Sequence, residues 1–205
     1  PKERSDGTMS VAASTAPYGA DGRFLGYRLE EASVEGDTIP PSRLRRMFPP
    51  EAYEEQRVLV HRDGPFRGQE IQTFQELEQE MDSAFHLVAV RKQGAPRLYE
   101  LDNDRSATRA PKGSYVRISD QSAHVVSSPP PFEGSTPRLL QVHVRSESLS
   151  IEEALHSVLS FSIMHHGSVR PPRLPVSLHY SDSVASRLQD GIRPSSQKGP
   201  LPYWL

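Results

Sequence analysis

The segment 58–90 constrains the fold more than any other part of the chain. Val58, Leu59 and Val60 form a short apolar run that ends, after His61 and Arg62, in Asp63 and a Gly64-Pro65 turn. From Gln69 to Met81 the apolar residues Ile71, Phe74, Leu77 and Met81 recur at helical spacing, and Phe85 to Val90 is a second strand-like run. A short apolar run of this kind reads as a strand buried on both faces, in the middle of a mixed or parallel sheet. Ligands of open α/β sheets gather at the carboxyl ends of their strands, which is where Asp63 stands. Two readings of Asp63 follow: a carboxylate that caps the turn, since Asp before Gly is an ordinary turn signal, or a ligand.

The flanking sequence extends the pattern. Thr8 to Ala16 and Arg23 to Leu29 read as strands around an Asp21-Gly22 turn. An acidic loop, Glu30 to Pro40, leads to two short helices, Ser42 to Phe48 and Glu51 to Gln56, split by Pro49-Pro50. Strand-like runs follow at 97–101, 114–118, 124–127 and 139–144, the middle pair forming a hairpin around 119–121. Ser150 and Glu153 make a capping-box pattern ahead of a helix that reaches Gly167, and Pro175 opens a last helix from Val176 to Leu188. This order predicts an α/β fold with a mixed sheet flanked by helices, for which a ribonuclease H-like domain is one candidate among several. A first residue other than methionine and a polar opening stretch suggest a piece of a longer protein whose first strand is missing.

Composition narrows the function classes. The 205 residues suit one domain, 1–205, and the 19 prolines predict many fixed turns. No apolar run has the length to cross a bilayer. The absence of cysteine excludes disulfides and thiolate metal sites and suits a reducing compartment, so a cytoplasmic, membrane-independent protein is expected. The net charge of −2 disfavours a free-standing nucleic-acid binder, whose footprint is usually basic.

Four segments carry a more specific signal. VHRDGPFRGQ at 60–69, VRKQGAPRL at 90–98, GSTPR at 134–138 and LPVSLHYSDSVA at 174–185, together with the terminal leucine, resemble the PIWI domain of prokaryotic Argonaute proteins. They occur in that family's order and span nearly the whole chain. The resemblance implies a ribonuclease H-like fold that holds a guide strand paired to a target. It also implies an active site of three acids plus Asp or His, binding two Mg²⁺ or Mn²⁺ ions. Oxygen ligands suit such hard cations, and two ions can drive in-line phosphodiester hydrolysis.

By motif position, Asp63 matches the third member of that site and Asp182 the fourth. The second belongs on the acidic loop, where Asp37 stands in place of the usual glutamate and Glu35 or Glu31 could serve instead. The first belongs on the missing strand, so the chain alone is expected to be inactive. Lys92, Arg97, Arg138 and Arg170 match positions that meet the nucleic-acid backbone, and Arg187 one that helps hold the guide's 5′ phosphate. The carboxylate of Leu205 matches a ligand of the metal ion in that pocket. His165 and His166 look like a metal pair, but neighbouring helix residues point in different directions. The partners implied are a 5′-phosphorylated guide, a complementary DNA or RNA target and the remaining Argonaute domains. Two functions stay open: a metal-dependent guide-directed endonuclease, favoured by Asp63 and Asp182, or a cleavage-inactive guide-binding protein acting through a partner, favoured by Asp37.

Overall fold

In the computed structural model, residues 2–3, 9–33, 38–92, 94–130, 135–164, 172–190, 192 and 195–200 are described. The chain divides into two units, one formed by Pro1–Leu59, Phe66–Phe85 and Ser177–Leu205, the other by Val60–Pro65 and His86–Val176.

The first unit holds a four-stranded sheet of β1 (Lys2–Glu3), β2 (Met9–Thr15), β3 (Tyr27–Ser33) and β11 (Lys198–Gly199), in that order. The strand expected at Arg23 to Leu29 starts later. Asp21 Oδ1 accepts from the Arg23 amide, Tyr18 and Phe24 make an isolated bridge, and Gly22 and Gly26 have φ of 80° and 138°. The chain is therefore still turning until Gly26. A Cβ at Gly26 would stand 2.7 Å from the Gly199 carbonyl oxygen, so the approach of β11 requires glycine there. Glu30 to Ser33, read as loop, instead pair with Ser10 to Ala13 of β2. Backbone ladder bonds do not depend on side-chain polarity, which is why an acidic segment continues the strand.

Two short helices, α1 (Pro41–Met47) and α2 (Pro50–Tyr53), each start on a proline, whose missing N–H costs nothing in the first turn. The helix α3 (Glu70–Met81) buries Phe74, Leu77 and Met81, three of the four positions its periodicity marks, and leaves Ile71 half-buried. Phe48, Tyr53, Phe74 and Phe85 gather with centroid spacings of 5.1–5.7 Å between Phe48 and each of the other three. Each such side chain contributes about 1.5–3 kcal/mol by leaving water.

A five-stranded sheet of order β4-β5-β10-β9-β8 comprises β4 (Arg57–Asp63), β5 (Ala84–Arg91), β10 (Leu140–Val144), β9 (Ser122–Val125) and β8 (Tyr115–Ser119). The Gln56 carbonyl accepts from the Ala84 amide and the Val90 carbonyl from the Gly64 amide, so β4 and β5 run in the same direction. Two strands not foreseen from the sequence are β7 (Ala107–Arg109), paired with β6 (Tyr99–Leu101), and the short β11. In the second unit α4 (Ile151–Ile163) packs on β9 and β10 through Ala154, Leu155 and Val158, and Ser150 and Glu153 form the expected capping box. The last helix, α5 (Val176–Gln189), follows Pro175 as expected. Among the described residues no helix is long and apolar enough to cross a membrane.

Candidate nucleic-acid and metal site

Strand direction gathers the candidate residues of the second unit at one sheet edge. β4 and β5 run parallel, so Asp63 and Lys92 emerge at the same end, and the Gly64–Val90 backbone bond of 2.8 Å sets their register. β10 runs antiparallel to β5 with Gln141 opposite Arg91, so Arg138 enters the sheet at that end. β9 runs antiparallel to β10 and leaves at the same edge, where Ser127 Oγ donates 2.6 Å to the Arg173 carbonyl. The carboxyl ends of parallel strands are where such sheets collect ligands.

The contacts at this edge are specific. Lys92 Nζ lies 2.9 Å from Asp63 Oδ2. Arg173 Nη2 donates 2.5 Å to the Lys92 carbonyl, and Arg62 Nη1 donates 2.5 Å to the Asp63 carbonyl. Arg97 donates to the hydroxyl of Thr136 in the loop before Arg138. Burial and the nearby Arg138 charge lower the Arg173 proton affinity, against the opposing pull of Asp63. One carboxylate and a cluster of cations thus share the edge. Arg173 is not among the residues that the sequence singles out. Its signal is slight: an arginine flanked by Pro172 and Leu174-Pro175, three residues after the Arg170 favoured instead.

The other candidates belong to the first unit or lie outside the description. Asp182 and Arg187 are exposed on α5, in the first unit. Glu35, Asp37, His165, His166, Arg170 and Leu205 lie outside the described residues, and Glu31 is described only as part of β3. Glu30, at the head of the acidic segment, is 16% exposed and held by Arg43 at 3.3 Å and Arg46 at 3.0 Å, so α1 already claims that acid. Among the described residues no three metal-ligating side chains come together. Asp63 offers one oxygen ligand for a hard cation; its side chain is 39% exposed and paired with Lys92.

Two residues before Asp63, His61 is held neutral. Its ring stands edge-on to Phe161, and Nε2 lies 2.9 Å from Ser157 Oγ, which itself donates to the Ala154 carbonyl and so accepts from the ring N–H. Burial pushes the His61 pKa down to about 4. The unfolded chain takes up this proton near the ordinary value of about 6.5, whereas the folded chain resists it until about 4. Stability is therefore expected to fall as pH drops through that window, by at most about 3 kcal/mol. Urea denaturation of wild type and His61→Gln across the window checks this; the variant should show the shallower acid dependence.

The relatives of the chain place this edge in context. The family model of the Piwi domain matches residues 48–193. The chain belongs to the Piwi domain family. That family comprises nucleic-acid-guided binding proteins and nucleases. The Argonaute of Aquifex aeolicus is 24% identical over 208 residues, which cover 98% of this chain and 28% of that protein. The Argonaute of Thermus thermophilus is 27% identical over 196 residues, covering 91% and 28%. The chain thus spans 28% of the length of these curated relatives. A structure of Clostridium butyricum Argonaute bound to a guide DNA and a 19-mer target DNA matches with TM-score 0.76 at 18% identity, over 96% of this chain and 29% of that one. An Aquifex aeolicus Argonaute structure matches with TM-score 0.76 at 22% identity, over 97% and 29%. The fold is the ribonuclease H-like fold of Argonaute PIWI domains, as the sequence led one to expect.

Proposed function

We propose that the chain is the PIWI domain of a guide-directed endonuclease, which holds a guide–target duplex and hydrolyses the target strand. The observation that carries this is the meeting of Asp63 with Lys92, Arg138 and Arg173 at one sheet edge in a member of the Piwi family. Backbone phosphates are gripped by arginine and lysine without reading sequence, and Lys92, Arg97, Arg138 and Arg173 supply that grip here. Asp63, Asp182 and an acid from the segment 31–37 would hold the metal ions, with Asp37 or Glu35 as that acid. Bound Mg²⁺ or Mn²⁺ would activate water and stabilise the leaving oxygen. The stretch matched by the family, 48–193, takes in parts of both units, which favours one domain over two.

Arg187, in the last turn of α5, and Arg170 would help hold the guide, Arg187 at its 5′ phosphate and Leu205 by its carboxylate at the metal of that pocket. Arg187→Ala is expected to weaken loading of a 5′-phosphorylated guide by about tenfold, the scale of one charge-assisted contact. Guide affinity measured with and without the phosphate tests it: equal loss for both guides would remove the phosphate role. The cleavage-inactive reading, in which the protein acts through a partner, is favoured by Asp37 at the usual glutamate position. DNA and RNA guides assayed against DNA and RNA targets, with Mg²⁺, Mn²⁺ or chelator, separate the two. The endonuclease reading predicts one guide–target pairing cut only with metal; binding of a matched target without any cut product supports the other.

A further inference from the structure

The first unit carries a group of cations that the function proposed above leaves unused. The short β11 lies against β3 with Lys198 directly opposite Arg28. Side chains that face each other across an antiparallel pair stand about 5 Å apart at their Cβ atoms, and like charges so placed repel. Several contacts nevertheless hold this register. Tyr27 donates its hydroxyl to the Ser196 carbonyl at 3.2 Å, and the Leu29 amide donates to the Gln197 carbonyl at 2.8 Å. Gly26 admits the Gly199 carbonyl oxygen at a place where a Cβ would stand 2.7 Å from it. The fold thus brings a lysine beside an arginine and fastens its backbone there.

The acid on the same face is already engaged. Side chains alternate along a strand, so Arg28 and Glu30 share one face of β3. Glu30 is held by Arg43 at 3.3 Å and Arg46 at 3.0 Å. Arg28 is half-buried, and its charge is felt by the Tyr53 hydroxyl. Among the described residues neither Arg28 nor Lys198 has a side-chain hydrogen bond or ion pair. Arg28, Glu30, Arg46, Ser196 and Lys198 line one cavity of about 300 Å³. Tyr27 and Leu29 pack on the opposite face with Val184 of α5, so the cavity lies on the side of β3 away from the helix that carries Arg187.

We propose that this cavity is a phosphate-binding site, in which Arg28 grips the phosphate oxygens as a fork and Lys198 adds a point charge. The phosphate belongs to a nucleic-acid backbone or to a small phosphorylated compound. The backbone source rests on the function proposed above; the site itself does not. A backbone phosphate here gives the protein a hold on nucleic acid separate from the 5′ end of the guide.

The test uses the full-length protein with Arg28→Gln, Lys198→Gln, both together, and Arg28→Lys. Duplex affinity is measured in chelator over a range of salt, with guides bearing and lacking a 5′ phosphate, and inorganic phosphate is titrated by calorimetry. If the source is the backbone, the double variant should bind duplex about tenfold more weakly, and its slope of log affinity against log salt should be shallower by roughly 1–2. The loss should be equal for the two guides, and Arg28→Lys should keep most of the slope. A loss confined to the phosphorylated guide overturns the inference. If the source is a small compound, the slope stays at the wild-type value while inorganic phosphate binds wild type at least about tenfold more tightly than the double variant. Equal slopes together with equal phosphate affinity overturn the inference. Should the double variant melt early, Lys198→Gln, at an exposed position, decides by about half the change in slope or phosphate affinity. Wild type that binds no duplex defeats the proposed function, and the phosphate titration alone then decides the site.

Discussion

Asp63→Ala in the full-length protein is expected to lower target cleavage by at least about a thousandfold, because several kcal/mol of transition-state stabilisation depend on a correctly held metal. Guide and target affinity should stay within a few-fold of wild type. The contrast follows from the arrangement of charges. Asp63 stands among Lys92, Arg138 and Arg173, so on the proposed function its deletion would remove a metal ligand but no phosphate-binding cation. Lys92, no longer tied to Asp63, remains anchored by Arg173. A single-turnover cleavage assay beside a binding titration separates the two effects. Cleavage at the wild-type rate would remove Asp63 from the metal site, and parallel loss of binding and cleavage would make it a structural residue.

Glu70→Ala is expected to produce the largest loss of stability, about 3 kcal/mol and a fall of roughly 10 °C in apparent melting temperature. Glu70 is 1% exposed at the start of α3. One carboxylate oxygen accepts from the Ile39 amide at 2.9 Å and the other from the Arg67 amide at 3.2 Å. Truncation removes the acceptor of both amides from a part-buried site, which is costlier than the hydrogen bonds themselves. The neighbouring turn is equally tight: Gly68 has φ of 52°, and a Cβ there would stand 2.9 Å from Thr38 Cγ2. Glu70 thus ties the exit of the acidic segment, at 38–40, to the first turn of α3. Thermal melts of wild type and variant measure the loss, and a shift under about 2 °C would show that the clamp contributes little.

Much of the fold could be read directly from side-chain pattern. The periodicity of α3, the capping box of Ser150 and Glu153, Pro175 ahead of α5 and the hairpin at 119–121 are local signals, and each element formed where its signal lay. Elements held mainly by backbone pairing were not legible. The acidic end of β3 and the short β11 are strands because another strand lies beside them, not because their residues favour extension. The site divides in the same way. Asp63 was visible because a strand-ending carboxylate before a glycine turn is a pattern in the sequence. Its ion pair with Lys92 and the anchoring of that turn by Arg173 arise from register between strands distant in the chain. Glu30 shows the reverse case, an acid in the right segment whose arginine partners on α1 no spacing rule announces.

On the proposed function, this sheet edge holds a nucleic-acid duplex whose guide selects the target. The most direct measurement is the affinity of the guide-loaded full-length protein for a complementary target and for a scrambled target of equal length, in the presence of chelator to prevent cutting. Pairing-directed recognition predicts a preference of at least about a hundredfold for the complementary strand, since each mismatched position costs roughly 1–3 kcal/mol. Equal affinity for the two targets would contradict it.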